Sequence, residues 1–171
     1  MGRSTIPESE PVGPVSEEHI DAVIPRVGAR IAAKIQIQRF TGMQSGEVVL
    51  MKSADIDRSS TVWVYRPESH ETEHHGKSRQ ILIGPRTQAV LAPWLRDDPS
   101  AYLFNLKEAM EELRAAQRRQ RRSRVQPSQR DRRKRGPKRV PGLRYTCNSD
   151  RRAIIVVCHQ AGISSWHPDP L

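Results

Sequence analysis

The chain has 171 residues, a net charge of +10 and a sequence pI of 10.4, with hydrophobic residues at 36%, aromatics at 5% and a mean hydropathy of −0.69. That length leaves room for one domain, and the sequence offers neither the long apolar run of a membrane span nor the apolar core of a secretory leader near Met1. Its two cysteines, Cys147 and Cys158, form no CxxC pair, which argues against a zinc site and for free thiols in a reducing compartment.

Residues 1–15 carry little hydrophobic pattern and read as a disordered tail. Ser16 followed by Glu17 and Glu18 predicts an N-cap with an acidic first turn, and a short helix to about Val23 that Pro25 stops. A second helix is predicted over Val27 to Phe40. Val27, Ile31, Ile35 and Phe40 fall near one face, Ile37 falls off it, and Gly42 closes the helix. A third, short helix spans about Ser45 to Lys52. The period then changes: Thr61 to Tyr65 and Arg79 to Ile83 read as strands, joined by a loop too long for a tight hairpin. Gly84 breaks the second strand, Pro85 suits the first turn of a new helix, and Val90, Leu91, Trp94 and Leu95 supply its buried stripe.

Residues 107–144 hold fifteen of the 29 Lys+Arg and only four of the 19 Asp+Glu, leaving the rest of the chain near neutral. The block begins in a predicted helix, Lys107 to about Arg119, and continues as a Pro- and Gly-punctuated run without a packing face, expected to be a disordered arm. Such a block is the footprint of a phosphate-contacting segment. Order is expected to return at Asn148 or Ser149, an N-cap for a helix running to Ala161 and closed by Gly162. Its apolar stripe is Ala153, Ile154, Val157 and Ala161, with Ile155, Val156 and Cys158 extending it.

The run FTGMQSGEVVLMKSADIDRSSTVWVYRP, Phe40 to Pro67, resembles the first catalytic box of the tyrosine recombinases (phage-type integrases) through Thr41, Gly42, Met43, Gly46, Glu47, Leu50 and Asp55-Ile56-Asp57. SRQILIGPRTQAVLAPWL, Ser78 to Leu95, resembles that family's second strand and following helix. RYTCNSDRRAIIVVCHQAGISSWHPDPL, Arg144 to Leu171, resembles the approach to its second box, and the Arg-rich interruption resembles an insertion found in one bacterial branch. The resemblance covers about residues 16–171. It implies an α+β fold, a truncated recombinase catalytic domain with helices on a small antiparallel sheet and a disordered basic insertion. The divisions expected are a tail at 1–15, the first part of the domain at 16–106, the Arg-rich insertion at 107–144 and the truncated approach to the second box at 145–171.

The same resemblance implies which residues the chemistry needs. In the family a tyrosine attacks a DNA phosphodiester and becomes covalently linked to it. Two arginines and a histidine clamp the oxygens on which charge accumulates, and a lysine on the hairpin protonates the leaving oxygen. Here the first arginine aligns with Gln44, the hairpin lysine with Glu71, and the histidine of the second box with Asp169. A neutral amide lacks the charged fork of an arginine, and a carboxylate repels phosphate. Lys77, on the same loop as Glu71, is a candidate substitute for the lysine. The chain stops two residues after Asp169, so on this reading it does not supply the second arginine or the nucleophile. Tyr102 and Tyr145 lie outside the nucleophile's context and are expected to be structural.

The sequence therefore predicts a DNA-binding relative of recombinases with no intact catalytic residue, no metal, no cofactor and no small-molecule substrate. Its phosphate contacts are Arg118, Arg119, Arg121, Arg122, Arg124, Arg130, Arg132, Arg133, Lys134, Arg135, Lys138 and Arg139. Cytoplasmic or nucleoid residence follows from that expectation. Three alternatives differ in partner: completion in trans by another recombinase chain, a non-cutting regulator of integrase sites, or RNA binding through the Arg-rich segment. His70, His74 and His75 with Glu71 and Glu73 resemble a metal cluster, but the spacing suits a helix and the segment reads as a loop. Trp63 and Trp94 are expected in the core and Trp166 exposed.

Overall fold

The computed structural model describes residues 13–68, 79–127 and 142–168. The first helix, α1 (Glu17–Val23), starts as its residues dictate: the Ser16 side chain accepts from the His19 amide, and Glu17 and Glu18 face the positive helix end. A 3-10 turn containing Pro25 redirects the chain into α2 (Ala29–Thr41). Gly42 ends α2 at φ 65°, a left-handed conformation that costs glycine nothing. Then come α3 (Ser45–Leu50) and the strands β1 (Ile56–Asp57), β2 (Trp63–Tyr65) and β3 (Ile81–Ile83). Pro85 opens α4 (Pro85–Leu91), Asn105 caps α5 (Leu106–Gln120), and Gly162, at φ 68°, closes α6 (Cys147–Ala161).

The three strands make one antiparallel sheet in chain order, with Tyr65 paired to Ile56 on one side and Ile81 on the other. Tyr65, Ile81 and Ile83 are buried while Leu82 is 66% exposed, so one face of the sheet packs on the helices and the other meets solvent. The architecture is the mixed helix-and-sheet fold expected. The two-residue β1 was not: so short a strand has no period to read.

Two hydrophobic clusters lie on either side of α2. Ala33 and Ile37 join Met43, Val48, Met51, Tyr65, Ile83, Leu91 and Phe104. Ile35 joins Ile20, Val23, Ile154, Val157 and Trp166. The expected single stripe on this helix is therefore corrected. Ile37 is fully buried and Phe40 is 42% exposed, because a helix between two clusters needs apolar residues on opposite faces. Trp166 is also corrected, being buried in the second cluster rather than exposed. Trp63 and Trp94 pack half-buried against the first cluster. On α6, Val156 is exposed and Ile155 half-buried, and Ile163, just beyond the helix, is half-buried too.

A polar seam also runs along α2. Arg30, Lys34 and Gln38, spaced i, i+4, i+8, are all buried. Each reaches a different later part of the chain. Arg30 pairs with Glu112 and Glu108 of α5. Lys34 meets Asp150 of α6 at 2.5 Å and lies 3.3 Å from the centroid of the Tyr145 ring. Gln38 donates to the Pro168 carbonyl at 3.0 Å. The seam thus fixes α5, α6 and the segment at 166–168 on one central helix. The N-cap of α6 is corrected too. Thr146 caps it by accepting from the Ser149 amide at 3.2 Å, and Ser149 is the third helical residue bonding back.

Candidate functional site

The Thr41–Glu47 turn is built by local hydrogen bonds. The Thr41 hydroxyl donates to the Ile37 carbonyl at 2.6 Å and accepts from the Met43 amide at 3.3 Å. Met43 is buried and anchors the turn, leaving Gln44 exposed as the N-cap of α3. The Gln44 side chain accepts from the Glu47 amide, and the Glu47 carboxylate accepts from the Gln44 amide at 2.8 Å. This reciprocal cap went unread in the sequence because glutamine is not a usual N-cap; the Q-x-x-E spacing carried the signal.

Glu47 is only 2% exposed and joins three elements. Its carboxylate pairs with Arg79, which leads into β3, including a 3.3 Å bond from Arg79 Nη2. Its backbone carbonyl accepts from the Tyr65 hydroxyl of β2 at 2.9 Å. Burial pushes the Tyr65 phenol well above its ordinary pKa, so it stays a neutral donor. Gln38 closes the arrangement, donating to the Met43 carbonyl at 3.4 Å as well as to Pro168. One buried amide thus holds the residues immediately before Gln44 and before Asp169.

Three described cations around this end have carboxylate partners. Arg79 has Glu47, Lys52 has Glu68 at 2.5 Å, and Arg66 has Asp57 at 3.5 Å. The Lys52 contact holds the Glu68 carboxyl below its ordinary pKa, and hydrogen bonds from Ser59 do the same for Asp57. Lys52 and Arg144 both lie over the Tyr102 ring, so Tyr102 is tied to the surface, while Tyr145 is buried against Lys34.

Of the residues singled out from sequence, Gln44 is at this end of the fold. Glu71, Lys77 and Asp169 lie outside the described residues, as do His70, Glu73, His74 and His75. Arg118 and Arg119 occupy the last turn of α5, and Arg121, Arg122 and Arg124 follow it, all exposed. Arg130, Arg132, Arg133, Lys134, Arg135, Lys138 and Arg139 lie outside the described residues. Among the described residues no cluster of His, Cys, Asp and Glu is placed to hold a metal ion, and no helix is long and apolar enough to cross a membrane. Cys147 is exposed and Cys158 buried, both free.

No family model and no curated protein matches the sequence. Solved structures do. XerA recombinase superposes with a TM-score of 0.53 at 16% identity, over 97% of this chain and 48% of its own. XerH site-specific recombinase, solved bound to its difH substrate in a pre-cleavage complex, gives a TM-score of 0.51 at 14% identity, over 97% of this chain and 42% of its own. The fold is thus similar to part of these recombinases, and the chain spans less than half the length of either.

Proposed function

We propose that this chain is a recombinase-like DNA-binding protein that does not cleave DNA by itself. The observation carrying the proposal is the state of position 44. Where the motif resemblance puts a phosphate-clamping arginine, the side chain is a neutral amide engaged in capping α3. The carboxylates that align at Glu71 and Asp169 add to that loss, since both would repel phosphate. Removing a single oxyanion donor costs about two to three orders of magnitude in rate; Gln44 and Asp169 alter two clamp positions, and Glu71 stands where the proton-donating lysine would be. The fold shared with recombinases and the basic block at 107–144 support DNA as the partner.

The test uses a nicked suicide duplex and a salt series. The expected result is no covalent protein–DNA adduct, together with reversible binding that weakens about a hundredfold between about 50 and 200 mM salt, as roughly four phosphate contacts require. A trapped adduct would overturn the non-cutting reading. An affinity indifferent to salt would overturn the phosphate-contact reading.

Gln44→Arg separates charge from cap at this site. It is expected to tighten duplex binding several-fold and still give no adduct. Because arginine cannot accept from the Glu47 amide, it should also cost about 1 kcal/mol of stability, read from a urea melt.

A further inference from the structure

α5 is attached by one side and charged on the other. Leu106 and Ala109 pack on the first cluster. Glu108 takes two bonds from Arg96, at 2.8 and 2.5 Å, and Glu112 takes Arg30, with a bond of 2.8 Å from Nη2. These contacts fix the rotation of the helix about its axis. At 3.6 residues per turn, Arg114, Gln117, Arg118 and Arg121 then fall within an arc of about 100°, roughly opposite Glu108, Ala109 and Glu112. All four are exposed and together line one shallow depression of about 210 Å³. The ion pairs among the described residues engage none of these three arginines. Arg121 is held in place by a 3.2 Å bond from its Nε to the Ser123 hydroxyl.

We propose that this face of α5 is a phosphate cradle for the backbone of double-stranded DNA, in which Arg114, Gln117, Arg118 and Arg121 act as one preformed site. The chemistry favours a phosphodiester chain. Guanidinium forks match phosphate oxygens bidentately, and Gln117 adds neutral donors between them. From Arg114 to the C-cap Arg121 the chain rises about 10 Å, close to the rise of three nucleotides of one strand at about 3.4 Å each along the duplex axis. The acidic half docked on the body keeps the basic half from turning, so only the side chains, and not the helix, need ordering when they bind. Arg114 and Gln117 carry no signal in a sequence reading that looks only for the densest run of charge.

The cradle rests on the DNA-binding reading above, and the test separates the two. The full chain is titrated with a random-sequence duplex by fluorescence anisotropy across a salt series. The triple variant Arg114→Gln, Arg118→Gln, Arg121→Gln keeps strong helix formers throughout, so α5 should persist by circular dichroism. Its slope of log affinity against log salt is expected to fall by about two to three, near 0.9 for each phosphate that the variant no longer neutralises. A control triple, Arg86→Gln, Arg151→Gln, Arg152→Gln, removes the same charge from other exposed positions and should lower the slope by at most about one. Equal reductions in the two triples would overturn the cradle and leave DNA binding standing. So would a cradle variant that weakens binding to single-stranded RNA but not to duplex DNA. A parent chain that does not bind the duplex would overturn the DNA-binding reading, and the cradle with it.

Discussion

Asp150→Ala is expected to destabilise the fold by about 3–5 kcal/mol, while the double replacement Lys34→Met, Asp150→Leu is expected to be neutral or stabilising by up to about 4 kcal/mol. The asymmetry follows from burial. Lys34 and Asp150 are 1% and 4% exposed, so removing one partner strands the other charge away from water. Removing both relieves a desolvation cost that their 2.5 Å contact only partly offsets. The ionisation of each group points the same way. Burial lowers the Lys34 ammonium from 10.5 to about 8 despite its partner, and burial raises the Asp150 carboxyl above its ordinary value.

The pH dependence has a definite sign. Between pH 8 and 10.5 the unfolded chain holds a Lys34 proton that the folded chain has released, so stability rises with pH across that window. For Asp150 the folded chain holds the proton longer, so stability is greatest below its unfolded pKa and falls as pH rises through the folded one. Urea melts of the parent, the two single variants and the double variant, repeated from neutral to alkaline pH, measure both effects. The alkaline rise should vanish in Lys34→Met. A double variant as unstable as Asp150→Ala would show that the pair stabilises the fold outright.

The pair also explains which parts of this fold were legible in the sequence. Helix ends could be read because their signals are local: Ser16, Gly42, Pro85 and Gly162 each mark a boundary where the backbone requires that residue. The cap of α6 lies two or three residues before the expected one because Thr146, Asn148 and Ser149 are all competent caps, and only Thr146 has a partner three residues on, Ser149, that bonds back to it. The polar seam on α2 was invisible for a stronger reason. Nothing in the local sequence marks Arg30, Lys34 and Gln38 as buried, because their partners come from α5, α6 and the 166–168 segment, far along the chain. At the candidate site the motif located Gln44 and Glu47, but motif spacing cannot reveal that the amide at 44 is engaged in a cap. Nor can it reveal that Glu47 ties α3 to β2 and to the residue leading into β3.

Glu47 offers the sharpest test of whether DNA reaches that end of the molecule. Glu47→Gln retains an oxygen to accept from the Gln44 amide and leaves the Tyr65 bond intact, because that bond uses the backbone carbonyl. It removes the charge that holds Arg79 and is expected to cost about 1–3 kcal/mol, the difference between a charge-assisted bond and a neutral one at a buried position. The same change releases a guanidinium that is 38% exposed, beside the position where the motif resemblance places phosphate. If DNA lies across this end, the freed Arg79 engages one more phosphate. The salt slope then steepens by about 0.9 and affinity rises several-fold at low salt, even as the protein becomes less stable. If the backbone is held only along α5, the stability loss appears alone and the slope does not move. A stability loss together with a steeper salt slope, read at a temperature where the variant is still folded, would therefore place DNA at the α3 end, because the gain then tracks the freed Arg79 charge.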